Sequence, residues 1–279
     1  MLKSKVHSGH FQNDLKCFMG DDCMLQMRKH TIPTLYRLCI RVIARNIDQC
    51  NCDDWDLSQL PSTIKTDLLQ LNMKLSIGFT NETTFIQLLT PNVTQLSFRS
   101  SVVTDRMLEC IGERCKYLQE LRIFDSKDKN KMLAISTDGL VKCLKGLKNL
   151  RALQIADSDK VNDKIVELIG QCCLHLESLW LNDCRNVTDK SSDALRSMQL
   201  NDLNLANTGI TNKWLEELFD CTLMQSLRDI CLKNCKVSNE GLRNLNWKRL
   251  ENINIIGVSI RDLSFIPSTA NYKTLNWSV

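Results

Sequence analysis

The chain has 279 residues, 43% of them hydrophobic and 24% charged, and its 36 basic and 32 acidic residues leave a net charge of +4. That length can bury a continuous core without disulfides or metals, and so even a charge balance calls for no nucleic-acid partner. No long apolar run occurs, and no apolar stretch follows the opening Met1-Leu2-Lys3-Ser4-Lys5, so neither a membrane span nor a secretory signal is expected and the chain is placed in the cytoplasm, the nucleus or both.

Residues 1–30 come first. His7, His10, Cys17, Cys23 and His30 gather there, but their spacing fits no zinc finger, and the stretch reads as a disordered polar tail with no metal. Residues 31–74 read as a short helical segment. Leu35, Leu38, Cys39, Val42, Ile43 and Ile47 repeat at helical spacing and define one apolar stripe, with Pro33 near its start. After the polar, acidic stretch 48–58, a second helix opens at Pro61 and presents Ile64, Leu68 and Leu71 on one side.

From residue 75 to 279 the sequence repeats itself. Leu75 to Leu89 reads as an incomplete leading unit. Then a strand pattern of alternating leucines recurs seven times, at 93–98, 118–123, 150–155, 176–181, 200–205, 227–232 and 250–255. A polar turn follows each of the first six, among them Val103-Thr104-Asp105, Ser136-Thr137-Asp138, Val187-Thr188-Asp189 and Val237-Ser238-Asn239-Glu240. The Thr, Ser or Asn in these turns is expected to cap a helix. Thr274-Leu275-Asn276-Trp277 adds a short closing strand, and Ser126 to Lys131 form an insert in the second unit. No single unit can bury its leucines alone, so the units must stack, with strands on a concave face and helices on a convex one.

This pattern is that of a leucine-rich repeat. The expected fold is therefore an α/β leucine-rich-repeat solenoid, a horseshoe of about seven repeats, preceded by the short helical segment. The cysteines sit at equivalent repeat positions, Cys184 and Cys235 after strands, Cys115, Cys173 and Cys221 at helix ends. That arrangement resembles the cysteine-containing subfamily of these repeats, and such positions are core. Side chains between the strand leucines face the concave side. Phe124 and Trp180 stand out there as anchors for a protein ligand, with Arg99, Arg122, Asn204 and Lys233 as polar contacts; Trp180 could equally rest on its neighbours.

The helical segment carries a further resemblance. Thr34-Leu35-Tyr36-Arg37-Leu38-Cys39-Ile40-Arg41-Val42-Ile43 resembles the elongin-C-binding BC-box: a small residue, Leu, three of any kind, Cys, three more, then an aliphatic. Leu60-Pro61-Ser62-Thr63-Ile64-Lys65-Thr66-Asp67-Leu68 resembles the cullin-2 box that follows it. The resemblance implies that Leu35, Cys39 and Ile43 enter a groove on elongin C, in its complex with elongin B, and that Leu60, Pro61, Ile64 and Leu68 select cullin-2. Leu60-Pro61 with Ile64 and Leu68 also resembles the opening of an F-box, which would imply Skp1 and cullin-1. An F-box would continue with a Trp-bearing helix, whereas here repeats begin by about Leu75. The two helices could instead simply cap the first repeat.

As a whole, residues 31–279 are similar to the homologues of the antagonist of mitotic exit network protein 1 family, which act in ubiquitin-linked turnover in the cell cycle. The function so implied is substrate recognition in a cullin-RING ubiquitin ligase, the target being held on the concave face for ubiquitination and proteasomal degradation. A stand-alone inhibitor that covers a partner's surface is the alternative. No phosphate-binding glycine loop, nucleophile elbow or His-Glu-x-x-His occurs, so no enzyme and no cofactor are expected.

Overall fold

Leucines that alternate with polar residues fix which side of each strand faces inward, and the rest of the architecture follows from that. The computed structural model describes residues 35–47, 56–75, 77–79, 81–98, 103–124, 135–270 and 272–277. The N-terminal histidines and cysteines, Arg99 and the Ser126 to Lys131 insert lie outside these residues. Two helices lead, α1 (Leu35–Asn46) and α2 (Ser62–Lys74), with a 3-10 turn at Leu57–Gln59 between them. Then come α3 (Glu82–Leu88), β1 (Gln95–Phe98), α4 (Asp105–Arg114), β2 (Glu120–Phe124), α5 (Thr137–Gly146), β3 (Ala152–Ala156), α6 (Asp163–Cys172) and β4 (Ser178–Trp180). They are followed by α7 (Ser192–Leu195), β5 (Asp202–Asn204), α8 (Asn212–Glu217), α9 (Thr222–Ser226), β6 (Asp229–Cys231), α10 (Asn239–Leu242), β7 (Asn252–Asn254) and β8 (Thr274–Asn276).

The eight strands form one parallel sheet in chain order. Leu96, Leu121, Leu153, Leu179, Leu203, Ile230, Ile253 and Leu275 align across it in a single row, and all but the last are buried. A slip of one residue would turn this row to solvent, so burial fixes the register. The helices return the chain along the other side. The full-length α4, α5 and α6 give way to shorter pieces in the later, shorter repeats, where α7 and α10 have four residues each.

Two ladders join successive repeats. Asp157, Asp183, Asn207, Asn234 and Gly257 occupy one equivalent position just after a strand, each with φ between 55° and 71°. Asp, Asn and Gly are the residues that tolerate this left-handed geometry. The amides of Asp157, Asp183, Asn207 and Asn234 each donate to a carbonyl of the next repeat at 2.8 to 3.0 Å. The second ladder runs along the helix starts. Thr104, Ser136, Asn162 and Thr211 cap their own helices, as expected, and Thr188 caps a 3-10 turn, Asp189–Ser191, that leads into α7. The next residue then reaches forward to the following cap: Asp163 accepts from Thr188 N and Oγ1 at 2.7 and 2.6 Å, and Asp189 from Thr211 N and Oγ1 at 2.7 Å each. Ser238 departs from the expected pattern. Its hydroxyl makes no cap bond but accepts from Asn212 Nδ2 at 2.9 Å, because Asn212 replaces the carboxylate and brings a donor of its own.

Two convex helices, α4 and α5, approach closely at Gly112 and Gly146, where a Cβ on Gly146 would collide with the Gly112 backbone. Of the five repeat cysteines, Cys115, Cys173, Cys184 and Cys235 are buried, as are Cys143 and Cys172, whereas Cys221 is only half-buried against the core. Cys184 Sγ lies 3.3 Å from Ile155 O and Cys235 Sγ 3.0 Å from Leu205 O.

Candidate functional site

Two surfaces bear on function. The first is the outer face of α1. The helix packs on α2 through Ile40, Ala44 and Ile47, which are buried. The sequence stripe is thus rotated: Leu38, Cys39 and Val42 are only half-buried, and Leu35 is 71% exposed. These four share the side of the helix turned away from Ala44, so an apolar face points outward. Tyr36 Oη ties the helices together by donating to Asp67 Oδ2 at 2.5 Å, a bond that raises the tyrosine pKa.

The second-box residues are placed differently from the expectation. Pro61 is exposed at the start of α2, but Leu60 and Ile64 are half-buried against the core and Leu68 is fully buried. Leu68 therefore holds α2 on the solenoid and keeps no surface for a partner, whereas Pro61 stays open to one. Ile43 likewise packs in part on the core.

The second surface is the concave face of the sheet. Ser97, Arg122, Gln154, Trp180, Asn204 and Cys231 form one row across it, and Glu120, Ala152, Ser178, Asp202, Asp229 and Asn252 another. Trp180 is half-buried, with its Nε1 donating to Asp202 Oδ2 at 2.6 Å and the Arg122 guanidinium 5.6 Å from its ring centroid. Arg122 is also paired with Glu120. Thus Trp180 rests on neighbours of both charges, which hold its orientation. Phe124 is half-buried at the end of β2, and Lys233 is exposed beyond β6. Asn204 turns its Oδ1 to the Ala206 amide at 3.0 Å, so one of its acceptors serves the strand's own turn.

Asp202 and Asp229 belong to this site but do not stand out in the sequence one at a time. The signal is their shared repeat position. Burial pushes the Asp202 carboxyl up, the Trp180 hydrogen bond opposes this, and the charge of Asp229 adds to it. Among the described residues no group of three or more His, Cys, Asp or Glu is placed to hold a metal ion, and no helix is long and apolar enough to cross a membrane.

The parallel sheet, one strand per repeat, backed by helices and closed by left-handed turns, decides the fold class. The chain is a leucine-rich-repeat solenoid. No family model matches it, and no curated protein matches it either. Among solved structures it is similar to InlP of Listeria monocytogenes, at 12% identity and a TM-score of 0.42, covering 68% of this chain and 49% of that one. A chain of the yeast Rad7 and Elc1 complex is similar at 10% identity and a TM-score of 0.32, covering 91% of this chain and 88% of that one. The leucine-rich repeat-containing protein LegL7 of Legionella pneumophila is similar at 15% identity and a TM-score of 0.34, covering 74% of this chain and 81% of that one. The solenoid spans about half the InlP chain.

Proposed function

We propose that the solenoid is the substrate-recognition subunit of a cullin-RING ubiquitin ligase, in which α1 docks on elongin C and the concave face holds a target protein. The observation that carries this reading is the outward apolar face of α1. Leu35, Leu38, Cys39 and Val42 point away from the core even though Ile40, Ala44 and Ile47 on the same helix bury well. Burying a leucine is worth about 1.5 to 3 kcal/mol, and a helix that leaves such a row only partly covered is shaped to lie in a partner's groove. The row coincides with the Leu and Cys of the BC-box-like segment. The concave side suits a protein target, since an ordered tryptophan ringed by polar side chains is a common anchor for one. Proximity of target to the ubiquitin-charged enzyme would be the whole mechanism.

The burial of Leu68 favours a second role for the helix pair, as the cap that closes the first repeat. A helix can cap with one face and dock with the other. Co-purification with elongin B/C and, in parallel, with Skp1 separates the readings. Elongin B/C should be retained by the wild-type chain and lost when Leu35→Asp and Cys39→Ser are combined. Retention of Skp1 instead would move the chain to a cullin-1 ligase. Retention of neither would leave the helices as a cap and the solenoid as a stand-alone inhibitor.

A further inference from the structure

Asp202 and Asp229 stand opposite each other on the neighbouring strands β5 and β6, on the open face of the sheet. Neighbouring strands lie about 4.8 Å apart, a separation at which like charges facing each other destabilise the pair. Each carboxylate spends one oxygen within the chain: Asp202 Oδ2 accepts from Trp180 Nε1 at 2.6 Å, and Asp229 Oδ1 from Asn252 Nδ2 at 2.5 Å. Neither forms an ion pair among the described residues. Of the basic side chains around the sheet, Arg151 pairs with Glu177, and Arg228 and Lys273 with Glu251, while Lys233, close enough for its charge to act on Cys231 in the cavity wall, forms no ion pair among the described residues. An open cavity of about 220 Å³ lies beside the two carboxylates, with Trp180, Asn204, Cys231 and Asn252 in its walls.

Gln154, in register with Trp180 on β3, is buried with its Oε1 unpaired, but it lies on the far side of the ring from Asp202 and outside the cavity wall. The Trp180 ring, for its part, already attracts a guanidinium, that of Arg122. The carboxylate pair and the ring share one preference: positive charge bearing hydrogen-bond donors.

We infer that this patch is the pocket for a basic side chain, Lys or Arg, presented by an extended segment of the target protein, with its cation between Asp202 and Asp229 and beside Trp180. This names the target class for the concave face proposed above and rests on that part of the reading, not on which adaptor α1 binds. Burial and the neighbouring Asp229 both push the Asp202 carboxyl up, and the charge of an arriving cation opposes that shift.

The test is selection of a randomised peptide library, displayed on phage, against the full chain. The wild-type chain should enrich sequences with Lys or Arg at one fixed position. The leading sequence, made as a free peptide, should bind about tenfold or more weakly once Asp202→Asn and Asp229→Asn are combined. Replacing its basic residue by Gln should cost as much in the wild type and nothing further in the double variant. Asn keeps an oxygen for Trp180 Nε1, and each single variant gives a smaller loss should the double variant melt early. Enrichment without a basic preference, unchanged binding to the variants, or no enrichment would overturn the assignment. Elongin B/C retention, read on the same preparations, reports on the adaptor reading separately.

Discussion

Leu179 and Trp180 are adjacent in sequence and opposite in role, because successive side chains of a strand point to opposite faces. Leu179 is fully buried in the leucine row, so Leu179→Ala should cost about 2 to 5 kcal/mol in urea unfolding; an unchanged midpoint would mean that the register is wrong. Trp180→Ala removes a half-buried ring from the open face and should leave the melting temperature nearly unchanged while peptide binding falls. Asp202 carries a stability cost that its site requires. Its folded pKa is raised, so its protonated form is favoured in the folded state, and stability contributed there declines as pH rises from the ordinary carboxylate pKa through the raised one. Relative to wild type, Asp202→Asn should therefore gain stability across that window and hold the gain at neutral pH. A variant less stable at pH 7 would show that Asp202 is structural. The alternation that separates core from face is legible in the sequence. The orphaned oxygen of Gln154 is not, since it depends on how the neighbouring side chains of the stacked strands are placed.

Among the elements, the strands and caps are the most legible, because each repeat states them again. The forward reach of Asp163 and Asp189 is written in the same turns, but a carboxylate in a helix's first turn already has a local reason to be there, its favourable interaction with the helix dipole. Only the stacking shows that it also clamps the next repeat. Asp163→Ala removes both bonds to Thr188 and should destabilise the solenoid by about 1 to 3 kcal/mol, whereas a surface carboxylate that only favours the dipole is worth about 0.3 to 1 kcal/mol; the size of the drop in urea decides between them. The α1 helix was half legible. Apolar residues occupy more than one side of it, and periodicity alone cannot say whether Ile40 and Ala44 or Leu35 and Cys39 turn inward. The leucines of α2 are ambiguous for a similar reason, since an apolar spacing that suits docking also suits burial, and Leu68 is used for burial.

At the scale of the molecule, repeats that contact only their neighbours make stability a sum of local interfaces, and the thiols report on that. Burial pushes Cys115 and Cys173 up to about 12, and Cys143 up as well. Since the thiolate is the reactive form, these three should resist a thiol reagent at neutral pH and label only as the repeats open. The same architecture separates the two working surfaces. α1 lies ahead of the solenoid and turns its apolar face outward, while Trp180, Asp202 and Asp229 lie on the concave face of the later strands. Hydrogen exchange of the full chain with and without purified elongin B/C tests this division most directly. Slowed exchange should be confined to the leading helices, with the later strands unchanged. Unchanged exchange over residues 35–47, or protection over the later strands instead, would contradict it.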